Sequence, residues 1–221
     1  MRILVLDSAL ARCTAAVVTG DTVAAARSEP RKQGHEAVLP TMTRDVLAEA
    51  PGAIDLVAVT IGPGSFTGIR SGLALAHGVG LALDAPVVGV TVGEAIADAF
   101  PHLGDRSLWV VTESRRGHVF LERDGAVVSL EAAALPTPAG NVAVAGAAAA
   151  QAAARLAARG ANVMLTDARF AAPRHIAAVA ALRHGGRLPP RAAQPLYVDP
   201  PEAKLPAGGL RPPPIAAAEP V

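Results

Sequence analysis

The opening stretch Met1–Arg27 (MRILVLDSALARCTAAVVTGDTVAAAR) contains the pattern on which the fold prediction depends. The apolar run Arg2–Leu6 predicts a buried strand, and Thr14–Thr19 and Thr22–Arg27 are short β-type runs. The pair Gly20-Asp21 lies between the last two runs and is typical of a tight hairpin turn. The chain is therefore predicted to begin with three strands in succession.

The residues that follow predict alternating helices and strands. From about His35 to Ala50 apolar residues recur at helical spacing, and Pro40 either delays the start of this helix or kinks it. The next predicted elements are the strand Leu56–Ile61, the helix Ser65–Leu83, the strand Pro86–Val90 and the helix Val92–Ala99. The first unit therefore has the order β-β-β-α-β-α-β-α.

A similar order begins again in the second half of the chain. Three further strands are predicted at Leu108–Thr112, His118–Glu122 and Ala126–Leu130, and Asp124-Gly125 marks the second hairpin. The later predicted elements are the strand Val142–Ala145, the helix Ala147–Ala158, the strand Asn162–Leu165 and the helix His175–Arg183. The sequence thus predicts an α/β protein of two duplicated βββαβα units.

The boundary between the units is expected near Pro101–Arg106. This gives a first domain at residues 1–104 and a second domain at residues 105–199. The remainder, residues 200–221, is rich in proline, glycine and alanine, and this composition predicts a disordered tail.

The composition narrows the class of protein. The 221 residues are 51% apolar, which is enough for a packed core, and the net charge of +1 disfavours a chain whose main task is to grip phosphate backbones. One cysteine, Cys13, excludes an internal disulfide framework and a cysteine-based zinc site. The N-terminal apolar run reaches Asp7 at once, and the run Leu73–Val92 is interrupted by polar residues. We therefore expect a soluble, cytoplasmic protein without a membrane span.

The segment Gly62–Arg70 (GPGSFTGIR) follows a predicted strand and opens a predicted helix. Its glycines permit tight turning, Ser65 is a plausible N-cap, and free backbone N–H groups at a helix start favour anions. The candidate phosphate or nucleotide ligands here are Gly62, Gly64, Ser65 and Thr67. The lysine of a P-loop is absent, so a packing or turn role for the glycines stays open and is favoured.

Two acidic residues end corresponding strands of the two units. Asp7 follows the first strand and Glu113 follows its counterpart in the second unit. A carboxylate at each place could hold a metal–nucleotide complex for phosphoryl transfer. The alternative, which is more common, is that each acid only caps a strand end that faces solvent.

The helix predicted after the glycine-rich segment has small residues four apart on one face. They are Gly68, Gly72, Ala76 and Gly80. A glycine inside a helix costs about 0.5–1 kcal/mol relative to alanine, so a close approach of another backbone is expected here. The pattern leaves two interpretations open: the stripe packs within its own domain, or it meets another subunit beside the first helix.

The sequence contains few patterns that indicate a metal site or a catalytic nucleophile. None of the six histidines forms the i, i+4 pair of a helical metal site, and His35 is followed by Glu36, Val38 and Pro40 instead. Cys13 has no evident base nearby and is predicted to fill a small core position. We therefore predict no metal site.

Five segments together resemble the bacterial TsaB family. They are Met1–Leu4 with Asp7-Ser8, His35 with Leu39-Pro40, Gly62–Arg70, Ser114-Arg115 with Gly117–Phe120, and Gln194–Tyr197. The resemblance extends from residue 1 to about residue 200, and Gly62–Arg70 is its most specific part.

The resemblance implies a fold and a function. The fold is two RNase H-like units in an actin/Hsp70/sugar-kinase (ASKHA) arrangement. The function is a non-catalytic scaffold that pairs with the catalytic subunit TsaD to form N6-threonylcarbamoyladenosine at position 37 of tRNAs reading codons that begin with A. The ATPase TsaE joins this pair, tRNA is contacted indirectly, and ATP with Mg²⁺ belongs to the complex, since no cofactor is expected in this chain itself.

The resemblance also implies a partner surface on two helices of the first domain. Its residues are Leu39, Met42 and Val46 from the first helix and Ile69, Arg70, Leu73 and His77 from the second, with the stripe Gly68, Gly72, Ala76 and Gly80. On this basis Gly72→Leu or Leu73→Asp is expected to weaken partner association more than folding of the isolated chain.

Three positions depart from the family pattern. Glu113-Ser114-Arg115 stands where the family has an Asp-Ala-Arg type of sequence, Val198-Asp199 lacks the usual basic residue, and Arg116 replaces an apolar residue. Two other functions stay open as hypotheses, a nucleotide-dependent phosphotransferase of the ASKHA superfamily and a metallopeptidase. Whether the free chain forms a homodimer is open as well.

Overall fold

The computed structural model describes residues 1–115 and 117–198. The expectations for Arg116, for Asp199 and for the tail at 200–221 lie outside the described residues. No helix in the described part is both long enough and apolar enough to cross a lipid bilayer.

The first half of the chain forms a five-stranded mixed sheet in the order β3-β2-β1-β4-β5. Its strands are β1 (Arg2–Asp7), β2 (Arg12–Thr19), β3 (Thr22–Pro30), β4 (Leu56–Thr60) and β5 (Val87–Val90). Its helices are α1 (His35–Glu49), α2 (Phe66–Leu83) and α3 (Val92–Ala97). Strands β1, β2 and β3 are antiparallel neighbours, whereas β1, β4 and β5 are parallel.

The second half repeats this topology. Its sheet has the order β10-β9-β6-β7-β8, which is the first order with each strand replaced by its counterpart. The elements are β6 (Ser107–Glu113), β7 (His118–Arg123), β8 (Ala126–Glu131), β9 (Val142–Ala145), α4 (Ala149–Ala158), β10 (Val163–Leu165) and α5 (Pro173–His184), with a short 3-10 turn at Ala132–Ala134. The predicted duplication of an α/β unit is therefore confirmed.

Local chemistry explains several of the element boundaries. Asp124 and Gly125 both have positive φ, 52° and 76°, as a two-residue type I′ hairpin requires. Helix α3 begins with a capping box, in which the Thr91 hydroxyl accepts from Glu94 N and the Glu94 carboxylate accepts from Thr91 N. Pro40 lies inside α1, which begins at His35.

The first sheet is covered on both faces by helices. Helices α1 and α2 contact each other on one side, and α3 and α5 contact each other on the other. Residues Ile3–Leu6 of the central strand β1 are all buried, which is typical of a strand enclosed from both sides.

Helix α5 packs on the first sheet, although the predicted domain boundary at residue 105 assigns it to the second domain. Its apolar residues Ile176, Ala177, Val179 and Ala180 belong to the core of the first sheet. The second sheet has its own, smaller core around Trp109, Leu121 and Leu156. The chain thus returns to the first half after completing the second sheet.

Candidate functional site

The loop between β4 and α2 is packed against the turn that follows β1. Ser65 N donates to the Ala9 carbonyl oxygen at 2.7 Å, and Ser8 Oγ donates to the Gly68 carbonyl oxygen at 2.8 Å. Ser65 is the N-cap of α2, as predicted, and its Oγ accepts from Gly68 N at 3.2 Å. The start of α2 is therefore capped and covered by the chain itself.

The glycines of this loop permit close packing of backbone on backbone. A β-carbon at Gly64 would collide with the carbonyl oxygen of Ala9, and one at Gly68 would collide with that of Ser8. A β-carbon at Gly62 would lie 2.9 Å from Ile69 Cδ1. These contacts account for the glycines without a phosphate, which is the packing role that the sequence left open. Thr67 is exposed beside them.

Asp7 lies at the end of β1 and is almost completely buried. Its Oδ1 accepts from Thr60 Oγ1 at 2.7 Å and from Ala9 N at 3.1 Å. Burial raises the pKa of the Asp7 carboxyl, and these hydrogen bonds together with Arg12 and His35 oppose that rise. Asp7 therefore ties β1 to β4 and to the next turn.

Glu113, the counterpart of Asp7, has a different environment. It is exposed and lines a cavity of about 470 Å³ with Ser114, His118, Gln151 and Arg155. Asp7 does not line this cavity. The structure therefore does not bring the two acids together in that cavity.

His35 and Cys13 are both buried in the first half of the chain. Both ring nitrogens of His35 are buried without a hydrogen-bond partner, and burial lowers the pKa of this imidazole. Burial raises the pKa of the Cys13 thiol to about 11. Among residues 1–115 and 117–198, no three His, Cys, Asp or Glu side chains cluster closely enough to hold a metal ion.

The small-residue stripe of α2 faces the chain's own sheet. Gly68, Gly72, Ala76 and Gly80 are all buried. A β-carbon at Gly72 would meet Ser8 Oγ, and one at Gly80 would lie 2.6 Å from Val87 Cγ2. The elements that lie close to this stripe are therefore β5 and the turn after β1. The expectation that a partner helix fills this space is corrected accordingly.

Most of the other residues assigned to the partner surface are also buried in the chain's own core. They are Leu39, Val46, Ile69 and Leu73. Met42 is half-buried, and Arg70 and His77 are exposed. Because Gly72 and Leu73 are buried, Gly72→Leu and Leu73→Asp are now expected to damage folding first, which reverses the sequence-based expectation.

The opposite side of α2 is exposed, apart from contacts of Arg70 with Tyr197 and of His77 with the Ala193 carbonyl oxygen. We call it the α2 outer face, and it consists of Phe66, Arg70, Ala74, His77, Gly78 and Leu81, all exposed. The Leu81 side chain is 87% exposed and that of Phe66 is 44% exposed. An apolar surface of this kind on a helix is typical of a protein interaction site.

Arg70 is held in place on the α2 outer face by two aromatic rings. Its guanidinium carbon lies 3.7 Å from the centre of the Phe66 ring, and its Nε donates to the Tyr197 hydroxyl at 2.8 Å. Phe66 and Tyr197 were not among the residues predicted for the site. The spacing of Phe66, Arg70, Ala74 and Gly78, four residues apart, was the available signal for the exposed face.

A buried carboxyl joins the two halves. Glu122, from β7, accepts from Gly93 N at 2.8 Å and also bonds the Thr91 hydroxyl, both at the start of α3. Burial raises the pKa of Glu122 to about 7, with Glu94 acting in the same direction and Arg191 opposing it. A β-carbon at Gly93 would collide with the Glu122 side chain, so a larger residue there would displace the carboxyl from its hydrogen bonds.

Comparison with known proteins gives a consistent set of relatives. A family model described as TsaD: tRNA N6-adenosine threonylcarbamoyltransferase matches residues 29–180. The chain is 32% identical over 124 residues to the tRNA threonylcarbamoyladenosine biosynthesis protein TsaB of Escherichia coli (strain K12), covering 54% of this chain and 53% of that protein. The chain thus spans about half the length of the curated relative it matches.

Solved structures support the fold. YeaZ from Pseudomonas aeruginosa has a TM-score of 0.72 at 23% identity, covering 89% of this chain and 99% of that one. The inorganic polyphosphate/ATP-glucomannokinase from Arthrobacter sp. strain KM has a TM-score of 0.50 at 13% identity, covering 83% and 99%. The predicted two-unit fold of the actin and sugar-kinase type is therefore confirmed.

Proposed function

This chain belongs to the family described as tRNA N6-adenosine threonylcarbamoyltransferase and, within it, to the TsaB proteins. On that premise we propose that it takes part in forming N6-threonylcarbamoyladenosine at position 37 of tRNAs that read codons beginning with A. Its role is that of a non-catalytic subunit that docks a TsaD-like catalytic subunit. The work takes place in the cytoplasm.

The α2 outer face is the observation that carries this proposal. Leu81 projects into solvent from a helix whose other side is fully packed. Burying a leucine side chain against a partner gains about 1.5–3 kcal/mol relative to leaving it exposed. A partner helix laid along Phe66, Ala74 and Leu81 would recover that free energy, because these residues follow one line on α2.

Arg70 adds a polar anchor to this surface. Its guanidinium is already oriented by Phe66 and Tyr197. Less side-chain entropy is therefore lost when it bonds a carboxylate or carbonyl of the partner. Arginine and aromatic residues of this kind carry much of the binding energy in protein interfaces.

A non-catalytic role is supported by the burial of Asp7 and by the packing of the glycine-rich loop before α2. The Asp7 carboxyl is buried and engaged by Thr60 and Ala9, with a raised pKa. The space beside Gly64 and Gly68 is occupied by the backbone of Ser8 and Ala9. In this proposal ATP and Mg²⁺ act at the level of the complex, which a TsaE-like ATPase joins, and tRNA is contacted through the partners.

Reconstitution with purified subunits tests the proposal. We expect the chain alone to transfer no threonylcarbamoyl group to tRNA, and the TsaD-like and TsaE-like subunits of the same organism to need this chain for full activity. Incorporation of labelled threonine into tRNA measures both. Transfer by the isolated chain would overturn the non-catalytic role, and full activity without the chain would overturn the proposed function.

A second copy of the chain could occupy the same face when no partner is present. Sedimentation of the free chain and of its mixture with the TsaD-like subunit distinguishes the two assemblies. We expect the mixed complex to replace any homodimer, because both would use the α2 outer face.

A further inference from the structure

A second cavity, of about 410 Å³, lies where the two halves of the chain meet. One wall is formed by Ala95, Ile96, Ala99 and Phe100, from α3 and the residues after it. The opposite wall is formed by residues of the segment 167–175, and Arg12 completes the lining. The cavity shares no residue with the one at Glu113 or with the loop before α2.

Three guanidinium groups line this cavity, those of Arg12, Arg169 and Arg174. Within residues 1–115 and 117–198, no carboxylate oxygen lies within 4.0 Å of any of them. One carboxylate, that of Asp167, lines the cavity as well but is not paired with these arginines. The lining residues therefore carry three guanidinium charges against one carboxylate, while the Asp7 and Asp98 carboxyls act on Arg12 and His175 from outside the lining.

Two of these arginines have buried donors without acceptors. Arg169 Nη1 and Arg12 Nε are inaccessible and make no hydrogen bond. Buried N–H groups are almost always satisfied in folded proteins, because an unsatisfied donor is costly. Both side chains belong to the cavity lining, so the guanidinium groups of this region are incompletely paired among the described residues.

Arg12 is oriented by two neutral groups, and the Asp7 carboxyl acts on it electrostatically without a direct contact among the described residues. Its guanidinium carbon lies 4.5 Å from the centre of the Phe170 ring, and its Nη2 donates to the Ala171 carbonyl oxygen at 2.8 Å. The stacking and the single carbonyl contact orient the group without neutralising it.

Arg174 is positioned by a chain of hydrogen bonds. Its Nε donates to His175 Nε2 at 3.0 Å. Since Nε2 accepts this bond, the His175 proton is on Nδ1, which lies 2.7 Å from Asp98 Oδ2. Asp98 thereby fixes the imidazole, and the imidazole fixes the arginine.

We propose that this cavity binds a small phosphate monoester, with its phosphate held by Arg12, Arg169 and Arg174 and its organic group against Phe100 and Ile96. The guanidinium fork matches the oxygens of a phosphate, and several such contacts are charge-assisted. The volume and the apolar wall provide room for an organic group beside the phosphate. The site is distinct from the surface proposed for the partner subunit.

Calorimetric titration of the full chain at fixed ionic strength tests the site with three probes: phenyl phosphate, inorganic phosphate and phenol. We expect phenyl phosphate to bind, inorganic phosphate to bind the same site, and phenol to give no binding. Equal affinity for the two phosphates would assign the site to free phosphate and would retain the recognition of the phosphate group. Binding of phenol as tight as that of phenyl phosphate would overturn the proposal, as would absence of heat from both phosphates at about 10 mM.

Three variants with the same change of charge locate the binding. Arg169→Gln and Arg174→Gln are each expected to weaken phenyl phosphate binding by about tenfold or more, since each removes a charge-assisted bond. Arg187→Gln is the matched control, because Arg187 is exposed and does not line the cavity. Arg174 is exposed, so its variant remains decisive if Arg169→Gln fails to fold. Equal weakening in the control and in Arg174→Gln would show a general charge effect and would overturn the proposal.

Discussion

The first sheet carries two helix layers, and they differ in what covers them. The layer of α3 and α5 meets the second sheet through the contact of α3 with β6. There Glu122 bonds Gly93, and the largely buried Arg183 pairs with Glu94 at 2.6 Å. The layer of α1 and α2 is packed on its inner side, and exposed apolar groups such as Leu81 remain on its outer side.

This difference separates two roles that sequence patterns do not distinguish. Polar groups that meet partners within the chain fix the arrangement of the two halves. Apolar groups that the described residues leave exposed mark the place where another protein gains by docking. The glycines of α2 follow the same division, because a β-carbon at Gly68 would meet Ser8, whereas one at Gly78 would meet no atom of residues 1–115 and 117–198.

A carboxylate placed on each of the two faces of α2 in turn is expected to produce the largest difference in the free energy of unfolding. Leu73→Asp places a carboxylate in the core and is expected to reduce the free energy of unfolding by about 4 kcal/mol or more, because cavity and desolvation costs add. Leu81→Asp changes a side chain that is 87% exposed and should stay within about 0.5 kcal/mol. Urea unfolding of the isolated chain measures both, and similar losses would show that the outer face is not free.

The contact between α3 and the second sheet has a pH dependence that Glu122 sets. The pKa of Glu122 is raised from 4.5 to about 7, so the folded state keeps a proton that the unfolded state has released between these values. The stability supplied by the protonated group is therefore complete below pH 4.5 and is lost as the pH rises to about 7. Glu122→Gln stays neutral and should become the more stable protein by up to about 3 kcal/mol at high pH.

The measurement for this pair is the free energy of unfolding of wild type and Glu122→Gln from pH 4.5 to pH 8. Asp7 and His35 also have shifted pKa values, but they contribute equally to both proteins. The difference between the two curves thus isolates Glu122. Parallel curves would contradict the account of the buried carboxyl.

Alanine substitutions at Gly68 and Gly78 give the smallest expected difference in stability, and they are the most closely matched pair of variants. Gly68→Ala adds a β-carbon that collides with the Ser8 carbonyl oxygen and is expected to destabilise the chain by about 1–3 kcal/mol. Gly78→Ala meets no atom and should stabilise the helix by about 0.5–1 kcal/mol. Thermal unfolding measures the two variants, and the same sign for both would contradict the assignment of the faces.

Local chemistry made much of the fold predictable. The pairs Gly20-Asp21 and Asp124-Gly125 indicated both hairpins, because these residues accept the backbone angles of tight turns. The periodicity of apolar residues placed the strands and helices, and Ser65 was identified as the cap of α2. These features depend on residues near one another in the chain.

Long-range packing was not predictable in the same way. A stripe of small residues such as Gly68 to Gly80 indicates a close contact but does not identify the element that makes it. The predicted partner surface therefore included residues on the side of α2 that packs against the chain's own sheet. Tyr197 reaches Arg70 across 127 positions of sequence. The apolar face of α5 predicted burial but could not specify which sheet it covers.

Binding of the TsaD-like subunit to two leucine variants tests the central claim most directly. Leu81→Asp alters the α2 outer face, and Leu165→Asp is the control, because Leu165 is also an exposed leucine, at 47%, but lies on β10 of the second sheet. Calorimetry should show an affinity about tenfold or more weaker for Leu81→Asp and unchanged for Leu165→Asp. Equal affinities for the two variants would contradict the account.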